Sequence, residues 1–156
     1  MDEVYIRFVE KEDIEDILNW RNDLETIKQS FNSKSVKLKD HEKWFNDSIK
    51  NKNRQIFIAF NKENEKIGQI RFDKNKDKAE IGITIAPEFR GKGYGSKVIK
   101  KACEVYLNNY DVSNLIAKIK KSNPSSLKAF EKAGFIEDKD YENFIEMIKK
   151  DMITVK

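Results

Sequence analysis

Glycine is scarce in this chain and is concentrated in one place. The sequence of 156 residues holds six glycines, and three of them, Gly91, Gly93 and Gly95, fall within five residues of the stretch APEFRGKGYGSK, residues 86–97. Pro87, one of two prolines, stands just upstream. The stretch joins a strand-like run, EIGITIA at 80–86, to a helix-like run, SKVIKKACEVYLNNY at 96–110. Glycine lets a backbone bend sharply and lets a ligand approach without meeting a Cβ. The first turn of a helix has N–H groups without intrahelical partners and carries the positive end of the helix dipole. A joint of this kind is a site for a phosphate or pyrophosphate, and Arg90, Lys92 and Lys97 add charge near it. The spacing GxGxG is neither the GxGxxG dinucleotide fingerprint nor the GxxxxGK[ST] phosphate loop. A turn that merely needed glycine would use one, not three interleaved with Lys92 and Tyr94.

The flanks say what the joint is built into. Residues 4–10 alternate as a strand, and 12–22 place Ile14, Ile17, Leu18 and Trp20 near helical spacing. A short helical piece covers 24–31. A further helix over 40–51 has Asp40 as its expected N-cap and Trp44, Phe45 and Ile49 on one face. Three strand-like runs, 54–61, 66–73 and 78–86, are separated by short polar linkers and read as an antiparallel meander. After the glycine joint, Val98, Ile99, Ala102, Cys103, Val105 and Tyr106 form one helical stripe. Residues 114–120 read as a strand. The next helix has Asn123 as N-cap, Pro124 at its first position and Gly134 as its stop. Residues 143–153 are ambiguous, and a last strand completes the sheet best. This order makes a mixed sheet with helices on both faces.

Composition narrows the partners. Charged residues make up 37% of the chain, with 31 Lys+Arg interspersed among 27 Asp+Glu and a net charge of +4. A nucleic-acid binder concentrates its basic residues in a block or stripe, so no nucleic-acid partner is expected; an anionic small molecule fits the balance. The single cysteine, Cys103, has no internal partner and sits in the apolar stripe as a small buried hydrophobe. With one histidine, His41, a protein metal site is not expected. No signal-like opening or long apolar run is present, which points to a cytoplasmic protein without a membrane partner.

The pattern Arg90-x-x-Gly93-x-Gly95, between a strand and an amphipathic helix, resembles the acyl-CoA pyrophosphate motif (Q/R)xxGx(G/A) of the GNAT N-acetyltransferase superfamily. The stretch NPSSLKAFEKAGF, residues 123–135, resembles that superfamily's later helix. The element order agrees over nearly the whole chain. The resemblance implies one α/β (α+β) domain over 1–156, with a mixed, mostly antiparallel sheet of six to seven strands. It implies acetyl-CoA as donor, with the backbone of Ile83, Thr84 and Ile85 pairing with the pantetheine arm. Amides from Gly91 through Lys92, Tyr94 and Gly95 to Ser96 would hold the pyrophosphate, and Asn123 would contact the pantetheine chain.

Acetyl transfer from a thioester needs a neutral amine, hence a base or water path, and a polarised carbonyl. It also gains from a proton donor for the thiolate. Direct attack in a ternary complex demands no nucleophilic cysteine. Many GNAT enzymes carry a tyrosine as acid seven residues after the Asn; here that position is Phe130, which has no proton to give and by the resemblance would only contact the cofactor. Relatives that acetylate ribosomal-protein N-termini often carry a serine three residues after the Asn, here Ser126, with Tyr94 or a water as the alternative donor. Glu80 begins the cofactor strand, where superfamily members often carry a water-linked acidic base, and Asp73 is the second candidate. Alternation puts Glu80, Gly82 and Thr84 on one face. The stretches NWRND (19–23), HEKWF (41–45) and IGQIRFD (67–73) resemble GNAT proteins of nucleotide-amino-sugar pathways. That likeness implies a UDP-linked amino sugar as acceptor, with Trp20 stacking on a ring and Arg21 or Arg71 holding a phosphate. Core roles for Trp20 and Trp44 are the competing expectation. Protein N-termini, other small amines, and a CoA-binding module without catalysis are the other readings, and a homodimer is compatible with all of them.

Overall fold

The sheet grows from three β-rich runs that pair in succession. In the computed structural model, which describes residues 3–31 and 35–150, β2 (Arg54–Phe60), β3 (Lys66–Asn75) and β4 (Lys78–Ile85) form the meander. β1 (Tyr5–Phe8) pairs antiparallel with β2 at one edge. On the other side β4 meets β5 (Asn114–Lys120) in parallel, and β5 continues antiparallel to β7 (Phe144–Lys150) and then β6 (Ile136–Asp140). The order across the sheet is β1-β2-β3-β4-β5-β7-β6.

The two faces are covered differently. Phe57, Ile70, Phe72 and Ile81 face α4 (Tyr94–Asn109) and α5 (Pro124–Lys132). They join Val98, Ile99, Ala102, Cys103 and Tyr106 in the main core. On the opposite face, α1 (Ile14–Arg21) and α3 (Leu38–Lys50) pack on the sheet in a smaller cluster of Ile17, Trp20, Phe45, Ile58 and Ala86, while α2 (Leu24–Gln29), between them in the chain, buries no residue. Cys103 is buried, and burial pushes its thiol up to about 12, so it is a packing residue and a poor nucleophile.

Several expectations are corrected. The helix expected from residue 40 begins at Leu38 with Lys37 as N-cap, and Asp40 lies in its first turn, where a carboxylate still favours the helix dipole. Its buried row is His41, Phe45 and Ser48, while Ile49 is half exposed. The linker expected over 73–78 shrinks to a tight hairpin, because Asn75 still pairs with Lys78 and Lys76 takes a left-handed φ of 60°. The terminal strand exists, and its expected residues beyond 150 lie outside the described residues. β6 escaped notice in the sequence because all five of its residues are exposed and show no apolar alternation.

Candidate active site

The site begins where β4 and β5 part. They pair only over Lys78–Glu80 against Asn114–Ile116. Beyond that, Ile81 to Ile85 stay hydrogen-bonded to β3, and Ala117 to Lys120 stay bonded to β7. Two strand edges therefore diverge and face a gap, and Ile83, Thr84 and Ile85 line it half-buried. An extended ligand can bond to such an edge as an added strand.

At the open end of the gap the glycine joint turns the chain into α4. Gly91 has φ 71° and Gly93 φ 83°, left-handed values that side chains rarely adopt. Gly93 is the N-cap of α4 and offers no side-chain oxygen, so the first-turn amides of Tyr94, Gly95 and Ser96 are left for an outside acceptor. Gly95 has another duty: a Cβ there would stand 3.3 Å from that of Ala129, so its lack of a side chain lets α4 and α5 approach. Lys92 lies over the Phe89 ring at 5.6 Å, and Tyr94 meets the same ring edge-on at 6.1 Å.

Arg90 does not point its charge at the joint's amides. Its guanidinium bonds Asp23 Oδ2 and Thr26 Oγ1, each at 2.7 Å, and Ile85 O at 3.1 Å. Asp23 also caps α2 through the amide of Thr26. At the other end of α2, Gln29 exchanges hydrogen bonds with Ser122, and Lys120 Nζ donates to Lys28 O. The short helix thus straps the loop after β4 to the turn after β5, across the mouth of the gap. A cavity of about 640 Å³ opens beside it, lined by Phe31, Lys120 and the turn before Phe144.

Asn123 caps α5 by accepting the Ser126 amide at 3.3 Å. Ser126 is half-buried in that first turn. Phe130 is 2% exposed and packs edge-on against Phe135, so its ring belongs to the core rather than to the gap, contrary to the cofactor contact expected of it.

The polar face of the meander carries the remaining candidates. Register places Asp73 opposite Glu80, Arg71 opposite Gly82 and Gln69 opposite Thr84. Glu80 is half exposed, 3.5 Å from Lys118 Nζ on β5. Asp73 is held between Arg54 at 2.5 Å and Arg71 at 3.0 Å, which occupies both of its oxygens. Trp20 is 7% exposed in the small core, which supports the packing role over sugar stacking. Arg21 Nη1 donates to His41 Nδ1 at 3.1 Å and lies over the Trp44 ring at 4.4 Å. His41, fully buried, donates from Nε2 to Ile14 O at 2.9 Å; burial, helped by the Arg21 charge, holds its pKa below the usual value.

Arg54, Asp23, Lys118 and Gln69 were not singled out from the sequence. Only the strand register and the position of α2 bring them to the site. A bulge between Ala59 and Phe60 shifts the pairing of β2 with β3, so counting back from the turn would not have placed Arg54 opposite Asp73.

A family model described as an acetyltransferase (GNAT) domain matches residues 3–136. Spermidine N(1)-acetyltransferase of Vibrio cholerae serotype O1 is 24% identical over 136 residues, covering 85% of this chain and 79% of that protein. The crystal structure of the V. cholerae spermidine N-acetyltransferase with CoA and spermine superimposes with a TM-score of 0.86 at 21% identity, covering 99% of both chains. The aminoglycoside acetyltransferase AAC(6')-Ib in complex with coenzyme A and kanamycin gives 0.81 at 17%, covering 95% of both. These likenesses establish a shared fold. No helix among the described residues is long and apolar enough to cross a membrane, and no described cluster of His, Cys, Asp and Glu could hold a metal ion.

Proposed function

The chain belongs to the acetyltransferase (GNAT) domain family, and from that premise we propose that it moves an acetyl group from acetyl-CoA to a primary amine by direct attack in a ternary complex. The observation that carries this reading is the β4–β5 gap ending at the uncapped N-terminus of α4. The pantetheine arm would lie along Ile83–Ile85 and reach Asn123, and the pyrophosphate would sit on the amides from Gly91 to Ser96. Solved neighbours hold CoA, which supports the same donor here.

In the reaction the amine nitrogen bonds to the acetyl carbon, the C–S bond breaks, and the amine loses a proton. Glu80, at the point where the strands part, takes that proton directly or through water. Asp73 is the weaker candidate, since Arg54 and Arg71 already engage it. Ser126 Oγ–H is the donor assigned to the departing thiolate. Glu80→Gln should lower turnover by about a hundredfold or more, the usual weight of a positioned base, and Ser126→Ala should lower kcat with little change in acetyl-CoA binding. Unchanged turnover in either variant removes that residue from the chemistry.

The acceptor assigned from the sequence is a UDP-linked amino sugar; neighbours that act on other small amines make a polyamine or aminoglycoside-like acceptor the second reading. Thiol release from acetyl-CoA across peptide N-termini, polyamines, aminoglycosides and amino-sugar nucleotides separates these. A protein that binds CoA and releases thiol with none of them is a binding module, not an enzyme.

A further inference from the structure

Three guanidinium groups meet on the polar face of the meander with one carboxylate between them. Arg21 and Arg54 both approach the Trp44 ring, at 4.4 and 5.9 Å. Arg54 and Arg71 share the two oxygens of Asp73. Among the described residues Arg21 has no carboxylate partner; its side-chain hydrogen bond goes to the neutral nitrogen of His41. Glu80, the next acidic side chain on this face, is paired with Lys118. The cluster therefore carries two positive charges more than its own acids balance. Burial and the nearby charges of Arg71 and Arg54 lower the pKa of Arg21, consistent with crowded, under-neutralised cations.

The cluster also reaches the reaction centre. A Cβ built on Gly82 would lie 3.6 Å from Arg71 Nη2, so the guanidinium stretches over β4 at the first stretch of strand facing the gap. A donor nearby is buried without a hydrogen bond: Arg71 Nε, whose contact with Asp73 lacks hydrogen-bond alignment. Buried polar atoms of this kind are ordinarily satisfied, and a guanidinium over an open strand completes its hydrogen bonds with an oxyanion.

We propose that Arg21, Arg54 and Arg71 form an oxyanion subsite of the acceptor cleft, so that the preferred acceptor carries a phosphate or carboxylate group as well as its amine. The inference rests on reading this face as the acceptor side of an acetyltransferase. Arg71 on β3 lies one strand spacing, roughly 5 Å, from Gly82 on β4, so a short spacer between the acceptor's amine and its anion is enough to reach it. A polycation such as spermidine meets repulsion here, so this chain should differ in preference from the spermidine-acetylating protein it resembles.

The test begins with the protein saturated with CoA, which blocks the cofactor's own phosphate sites. Calorimetric titration with UDP and with inorganic phosphate should then show binding, weakened about tenfold or more by Arg71→Gln and by Arg54→Gln; retained CoA affinity shows that each variant is folded. Turnover is compared for ethanolamine, phosphoethanolamine, β-alanine and spermidine. The first three share an aminoethyl group and differ in the anion. Phosphoethanolamine or β-alanine should exceed ethanolamine in kcat/KM, the better of them identifying the oxyanion, and Arg71→Gln should bring the ratio toward one. Spermidine used best, with no UDP or phosphate binding to the CoA-loaded protein, overturns the subsite and leaves acetyl transfer standing. Arginine-dependent UDP binding without thiol release from any amine keeps an oxyanion site on these arginines but overturns its place in an acceptor cleft, together with the enzymatic reading.

Discussion

Gly93 and Lys92 stand side by side in the glycine joint and should respond to mutation very differently. Gly93 holds a left-handed φ of 83° at the N-cap of α4, where a side chain costs roughly 1–2 kcal/mol and would crowd the amides needed by a pyrophosphate. Gly93→Val should lower both the unfolding midpoint and acetyl-CoA affinity, the latter by about tenfold or more. Lys92 rests on Phe89 at the surface, and Lys92→Ala should change affinity less than about threefold, the scale of one exposed charge contact. Calorimetry on the two variants decides between a backbone cradle and a side-chain one. His41 supplies a second residue-level expectation. Its pKa is lowered in the fold, so the unfolded chain takes up a proton first as pH falls. Its contribution to stability is complete above the unfolded value of 6.5 and is lost as pH falls toward the folded one. Thermal unfolding between about pH 7 and 5 should show a falling midpoint, with a shallower slope in His41→Gln. Equal slopes would mean that His41 does not titrate in this way.

Among the elements, α2 depends most on the contacts it makes. Six residues are too few to hold a helix by their own propensity. Asp23 supplies the cap and, through Arg90, the tie to the glycine joint, while Gln29 and Lys120 tie the far end to the turn after β5. Losing the cap and the ion pair together in Asp23→Ala should cost about 1–2 kcal/mol. Arg90→Ala should free the first end of the strap and raise KM for the amine more than KM for acetyl-CoA. Hydrogen exchange of residues 24–29 reads the loosening directly. If exchange there is unchanged in Arg90→Ala, the strap does not rely on this tie. The motif arginine was expected near the phosphate, and only the packing of α2 against the joint shows that its hydrogen bonds are spent elsewhere.

For the whole molecule, the acid limit of stability should be set in part by Asp13. It is fully buried, with Arg7 at 2.8 Å and Lys66 at 2.7 Å, and these cations hold its carboxyl down to about 2 against an opposing desolvation. A depressed carboxylate stabilises the fold above its unfolded value of 3.8, and that stabilisation is lost as pH falls from there through about 2. Because Arg7 and Lys66 are partly exposed, roughly 1–2 kcal/mol is at stake. Urea unfolding at falling pH should show the loss, and Asp13→Asn should abolish that segment of the profile. The strands of the meander, α4 with its stripe, and α5 between Asn123 and Gly134 could all be read in advance, because turn chemistry and apolar period are local properties of neighbouring residues. The sharp glycine bend over 91–95 could be read for the same reason, while the left-handed φ at Gly91 and Gly93 came from the structure. What lay beyond the sequence was pairing between distant residues: where β4 leaves β5, Arg54 against Asp73, Arg90 on Asp23, and the withdrawal of Phe130 into the core. The sequence alone thus settled most of the elements and the glycine joint at the head of α4, whose forces act within a few residues. Tertiary structure alone decided which charges gather beside the gap, because side-chain electrostatics depends on distances that strand register and helix packing set.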